Sequence, residues 1–458
     1  MPRFDLILKK GRVVDPAQGV NAVLDLAITH QRIAAVEPAI PPSQAKTVID
    51  LSGKTVVPGI IDPHVHIRTV GHRNMAKVGV VTAVDVAASM DDVLQSTKTF
   101  GAGMNIAAVT SIHHYIKTSH PRQAELNAMV DAYLTSGALG VKVLQEPLPH
   151  ETILNAIAAA NQQEAYVKVD CGVTEEGSNL LGLTWLVDAV GQDLHVDIAH
   201  INSYCRGQIK DPLEEALAAI RLLEGRRNLQ SESYLGVING TSGQIVNGVP
   251  LNGCTRDCLR LGGYPATAEG MKQAFLDGYA KVPADVGGET VLLEGVDAVN
   301  AWLATDQRTV CFPVNRPSIT ILLATQKDAR QAFVVNALST DGGATPRNLL
   351  VSSGLALVRY GALTLSDFVR KTALNPSRMY GLREKGSLGV DMDADITVLD
   401  LERGKAVMGI ALGQVIMVDG VVVGRGGTIL TTTKGVPHVA AAGLPVDVID
   451  LHQCGLYT

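Results

Sequence analysis

From residue 78 to residue 339 the chain alternates short apolar runs with amphipathic stretches, and this alternation restricts the fold more than any other feature. Segments 78–87, 104–111, 139–144, 165–169, 195–201, 234–239 and 332–339 read as strands rich in Val, Ile and Ala. Segments 124–134, 151–161, 212–223 and 266–278 carry apolar residues at helical spacing. Repeated strand–helix units imply a parallel sheet, and about eight of them imply a closed barrel. The expected fold class is therefore α/β, a (β/α)8 TIM barrel.

The two ends read differently. Segments 5–9, 12–14, 24–29, 32–36 and 47–50 are short strands separated by Gly, Pro, Asn and Gln turns; 394–400, 406–408, 415–418 and 421–423 repeat the pattern, with Asp419-Gly420 as a hairpin turn. Two β-rich ends around an α/β middle predict a small β-sandwich domain formed from both chain ends. The predicted division is 1–57 and 385–430 for the sandwich, 58–384 for the barrel and 431–458 for a C-terminal tail. A Gly-rich insertion at about 205–330 should cover the active face, since that region is too long for the units it contains.

With 458 residues the chain exceeds one ordinary core, in keeping with a large and a small domain. Its hydrophobic fraction of 46 % is high, yet no apolar run reaches the roughly 18 residues that span a bilayer. The first ten residues lack the apolar centre of a secretion signal, so a cytoplasmic protein is expected. A net charge of −6 without long runs argues against nucleic-acid or membrane partners and for a small-molecule substrate. Of six scattered cysteines only Cys254 and Cys258 lie close together, and a lone Cys-x-x-x-Cys reads as reduced thiols rather than a zinc site.

Residues 56–66, Val-Val-Pro-Gly-Ile-Ile-Asp-Pro-His-Val-His, form an apolar strand that ends in two histidines two positions apart. Alternation along a strand puts His64 and His66 on one face, where both can grip one divalent metal. A chance His-x-His is expected roughly 0.3 times in a chain of this composition, so position must decide. The pair closes the strand at which the barrel's active face would begin.

This stretch resembles the opening of the amidohydrolase superfamily, whose first barrel strand ends in Pro-Gly, two apolar residues and Asp-x-His-x-His, matched at Pro58, Gly59, Asp62, His64 and His66. A second patch, 371–400, is similar to the superfamily's return from barrel to sandwich, through Asn375-Pro376, Gly381-Leu382, Lys385-Gly386 and Asp393-Ala394-Asp395. The resemblance implies further ligands. Lys142 matches the fourth-strand lysine that carbon dioxide carbamylates to bridge two metals, His200 the sixth-strand ligand, and Asp341 the last-strand aspartate that binds metal and moves a proton. Read without the resemblance, Lys142 is a lysine snorkelling to water and Asp341 a turn cap.

The fifth strand departs from the family pattern. It has no histidine, and Lys168 and Asp170, which share a strand face, are the candidates for that place. His113 and His114 end a strand and are possible substrate contacts, as is the His72-Arg73 pair. The metal is expected to be zinc, one or two ions, with manganese, cobalt or iron as alternatives.

The resemblance thus implies hydrolysis of an amide C–N bond, in a cyclic amide or imide or an N-acyl compound, by metal-activated water with Asp341 as proton shuttle. The cyclic amidases (hydantoinase, dihydropyrimidinase, dihydroorotase) fit the lysine best, and N-acyl-amino-acid deacylases are the alternative enzyme. A non-catalytic assembly protein that has lost the fifth-strand ligand is the alternative of a different class. A homo-oligomer, dimer or tetramer, is implied by the family alone.

Overall fold

The computed structural model describes residues 2–144, 148–173, 177–287, 289–305 and 309–458. Eight parallel strands form its centre: β1 (Ile60–His66), β2 (Val80–Ala87), β3 (Ala102–Ser111), β4 (Gly140–Leu144), β5 (Tyr166–Asp170), β6 (Val196–Ile198), β7 (Leu229–Tyr234) and β8 (Ala337–Ser339). Each pairs with the next in chain order. Beyond the two residues that follow β8, Gly342 and Gly343 pair with Val65 and His66 of β1, so the ladder returns to its start and the barrel closes. Here glycine is required. A Cβ on Gly343 would stand 2.5 Å from the His66 carbonyl oxygen, and its φ of +82° is one that other residues rarely adopt.

Helices between the strands start and stop where the local sequence allows. Ser89 caps Met90–Phe100 by accepting from the Asp92 amide, and Asp211 with Pro212 at the first position opens Pro212–Leu223. Gly137, at φ +104°, ends Gln123–Ser136. One apolar cluster runs through the barrel wall and its helices, with Val84, Ile106, Val141, Val167 and Ile198 all fully buried.

Both ends of the chain build one nine-stranded sheet, in which Thr55–Pro58 and Phe4–Asp15 from the N-terminal side pair with each other and Thr55–Pro58 pairs with Ile396–Asp400 from the C-terminal side. Phe4–Asp15 is one strand with an irregularity between Leu8 and Gly11, not the two expected from its sequence. Leu8, Ile28, Val56, Val398 and Ile410 share a single core in this sheet. Lys385 ties the parts together. Its buried amine contacts Asp393 at 2.6 Å, Asp395 at 3.0 Å and Asp447 at 3.2 Å, while Asn105 of β3 donates to Asp395 at 2.7 Å.

Three expectations are corrected. The strand expected at 234–239 lies at Leu229–Tyr234, whose sequence Leu-Gln-Ser-Glu-Ser-Tyr is too polar to read as a barrel strand until its polar face is seen to point inward. The insertion is consequently shorter than 205–330: from Asn239–Ser242 to its partner Thr309–Phe312 the chain makes a lobe with a core of Cys258, Met271, Phe275, Trp302 and Phe312. The C-terminal tail is not separate from the barrel. Val446–Val448 pairs with Gly426–Thr431, which lies parallel to β3, and Leu451, Cys454 and Leu456 enter the barrel's core.

Gly140 is the tightest point between β4 and β5: a Cβ there would lie 1.9 Å from the Tyr166 carbonyl oxygen. Gly140→Ala should therefore lower stability by about 2–3 kcal/mol, read as a lower urea midpoint with an unchanged slope.

Candidate metal centre

The C-terminal ends of the barrel strands converge on three histidines, a lysine and two aspartates. His64 and His66 close β1, and Asp341 follows β8 with Nε2 of His66 at 3.0 Å and Nε2 of His64 at 3.7 Å from its Oδ1. One ligand atom from each of these three residues lies within 4.8 Å of the others. His200, just past β6, stacks on His64 with ring centroids 5.2 Å apart, and its Nε2 is 3.3 Å from Asp170. Asp341 and His200 both hold positive φ, +47° and +34°, a cost the surrounding lattice of bonds must support.

That lattice is centred on Glu232 of β7, which the sequence reading did not single out. Its Oε1 accepts from the His64 ring at 2.6 Å, from the His200 backbone amide at 2.8 Å and from Lys168 at 3.4 Å, while Oε2 accepts from the Ser339 hydroxyl. Because His64 Nδ1 donates to this carboxylate, its proton sits there and Nε2 presents a lone pair to the site. Burial pushes His64 down to about 3, so the imidazole is neutral at ordinary pH, the form that binds a metal.

Asp62 braces the same strand end from below, accepting from the Thr340 hydroxyl at 2.6 Å and amide at 3.1 Å. Asp85 of β2 accepts from the Ile67 amide at 2.7 Å and holds the turn after His66. Arg347 grips Asp341 twice, through Oδ2 at 2.5 Å and through the backbone oxygen at 2.5 Å. Burial alone would raise the Asp341 carboxyl, but Arg347 and the two histidines outweigh it and hold the group well below its ordinary range.

Of the two fifth-strand candidates, Asp170 faces the site and Lys168 does not. Lys168 is fully buried between Asp197 at 2.8 Å and Glu232 at 3.4 Å, and although burial opposes its charge, these carboxylates raise its pKa and keep it an ammonium. Its amine is thus engaged by two carboxylates and not by the histidine cluster. Its place one strand alternation below Asp170 makes it the counter-ion of the carboxylate that orients His64. Asp170 stays ionised, since His200 and Lys142 overcome the effect of its burial.

Lys142 is 2 % exposed, and among the described residues its amine has no hydrogen-bond or ion-pair partner. Burial lowers its pKa, with Asp170 acting in the opposite sense. His113 and His114 stand apart: His114 donates to or accepts from nothing in the cluster but lies 2.9 Å from the Ala87 carbonyl, at the surface. His72 is buried against Ser96.

The donor set suits a divalent metal. The neutral His64 imidazole, the His66 ring and the ionised Asp341 carboxylate converge in one place, and the buried His200 Nδ1 has no hydrogen-bond partner among the described residues. Beside them opens a cavity of about 410 Å³ lined by His66, Arg68, Thr241, Thr345 and Arg347. Glu232 was legible in principle: Gln230, Glu232 and Tyr234 alternate along the segment that runs into the strand expected at 234–239.

Comparison with known proteins agrees with this fold. Residues 319–432 match the amidohydrolase family. A dihydroorotase of Streptococcus pyogenes serotype M1 is 25 % identical over 429 residues, covering 86 % of this chain and 89 % of that protein. Among solved structures, an N-acyl-D-glutamate deacylase from Bordetella bronchiseptica, complexed with zinc and a phosphonate inhibitor, superposes with a TM-score of 0.67 at 14 % identity, over 93 % of this chain and 99 % of the other. A dihydropyrimidinase from Brevibacillus agri gives 0.59 at 15 % identity, over 92 % and 97 %.

If the Lys168 ammonium is what allows Asp197 and Glu232 to be buried together, Lys168→Met should cost about 3–5 kcal/mol of stability, because it strands two carboxylates. The double variant Lys168→Met with Asp197→Asn should recover part of that loss in the same urea titration.

Proposed function

We propose that this chain, which belongs to the amidohydrolase superfamily, is a metal-dependent hydrolase of the C–N bond of a non-peptide amide, acting on a cyclic amide or N-acyl compound that carries a carboxylate. The observation that carries this reading is the convergence of His64, His66 and Asp341 at the barrel mouth, with the Lys142 amine and the unpartnered Nδ1 of His200 alongside. A divalent ion held there would supply Lewis acidity toward the amide carbonyl and toward water.

The chain's own groups account for the rest. Arg347 occupies Asp341 Oδ2, which leaves Oδ1 facing the histidines as the oxygen that takes a proton from water and passes it to the departing nitrogen. Glu232, held ionised by Lys168, keeps the His64 ring from turning. Lys142, uncharged more readily because of its burial, is the amine that would add to carbon dioxide with loss of a proton, and the resulting carbamate would supply a further acidic oxygen ligand. Arg68 lines the cavity beside His66 with no ion-pair partner among the described residues, and a substrate carboxylate would supply one. The dihydroorotase relatives support the cyclic-amide form of this reading.

Metal content per subunit, measured by mass spectrometry on protein purified without chelator, tests the centre. One or two ions are expected, and His64→Ala with Asp341→Asn should abolish hydrolysis while leaving the circular dichroism unchanged. Protein without bound metal after incubation with zinc or manganese and bicarbonate would sink the proposal.

A panel of cyclic amides with and without a carboxylate tests the substrate class. Arg68→Gln should raise KM at least tenfold for the acids and leave neutral analogues unaffected; equal KM values for acids and neutral amides would refute the anionic requirement.

A further inference from the structure

Outside the metal centre the molecule buries a second guanidinium. Arg206 is 4 % exposed and, among the described residues, has no carboxylate within ion-pair distance. Its donors go to Asn315 at 2.9 Å, Ser203 at 3.0 Å, Asn239 at 2.9 Å and the Tyr234 hydroxyl at 3.4 Å, all neutral. The remaining contact is to sulfur: Arg206 reaches Cys254 Sγ at 3.8 Å. A buried cation needs an anion, and the group placed to supply it is the Cys254 thiolate.

Three further features favour that anion. Asn239 Nδ2 donates to Cys254 Sγ at 3.3 Å. Cys254 is the second residue of the helix Gly253–Leu261, where unpaired amides and the helix dipole stabilise negative charge. Cys258 lies one turn later on the same face, and its thiol is a hydrogen-bond donor to Cys254 that lowers the pKa of the latter while its own is raised. Cys254 is also the one cysteine of six that is partly exposed; the other five are buried.

We propose that Cys254 is an oxidation site, a resident thiolate that reacts with hydroperoxides. Its sulfur attacks one peroxide oxygen, the O–O bond breaks, hydroxide or alkoxide leaves, and the product is a sulfenic acid; sulfur is oxidised and peroxide reduced. Attack by the Cys258 sulfur on that sulfenic acid would form the S–S bond and release water. One helical turn sets Cβ atoms about 5–6 Å apart, whereas a disulfide wants about 3.5–4.5 Å. The bridge therefore requires the first turn of this helix to deform, and the sulfenic acid is the species that accumulates. Arg206 shares the Tyr234 hydroxyl with Arg347, which holds Asp341, so three side chains, Arg206, Tyr234 and Arg347, link the lost thiolate charge to the metal centre.

The test is site-resolved oxidation of the full chain by a few equivalents of hydrogen peroxide at pH 7, with dimedone present and peptides read by mass spectrometry. Cys254 should be modified, as the dimedone adduct or as a bridge to Cys258, at least tenfold faster than each of the other cysteines. In Cys258→Ser the adduct alone should form, and Asn239→Ala should slow the reaction. Oxidation of Cys254 less than tenfold faster than the rest would overturn the proposal, whatever the variants do.

Discussion

The contact between Glu232 and His64 carries the centre of this molecule. A carboxylate with no exposure, in the lumen of a barrel, is stable only because Lys168 stands beside it with equal burial, and Lys168 in turn needs Asp197. The triad is fully buried and shared by three adjacent strands, β5, β6 and β7. Its effect reaches upward: one oxygen of Glu232 orients the His64 ring and anchors the His200 amide, so two candidate ligands on opposite sides of the mouth are aligned by one group.

Closure of the barrel has a comparable consequence. Asp341 lies in the two-residue step between the part of the chain that pairs with β7 and the part that pairs with β1, and its backbone amide donates to the His64 carbonyl at 2.9 Å. The geometry that closes the ladder therefore sets the distance between Asp341 and the histidines. Gly342 and Gly343 permit that approach, and Arg347 then fixes which carboxylate oxygen remains open.

Lys385 plays a similar part between the barrel and the terminal sheet. Residues 393–395 resemble a sequence signature, and their structural role is to neutralise a buried ammonium that is also shared with Asp447 near the C-terminus. A tail that looked free in sequence is bound by the same cation that joins barrel and sheet, which explains how its last residues come to be part of the core.

The sequence by itself determined the repeating strand–helix plan, the joining of the two β-rich ends and the candidate pair His64 and His66, because hydrophobic period and short-range motifs are properties of neighbouring residues, while Lys142, His200 and Asp341 were implied by the family resemblance. Tertiary structure alone decided between Lys168 and Asp170, which alternate on one strand face and differ in depth, one among carboxylates inside the barrel and the other at its mouth. It also decided the place of β7. A polar strand is stable only when its inward side chains meet partners from β1, β5 and β8, and pairing across 168 residues, as between His64 and Glu232, leaves no local trace in the chain.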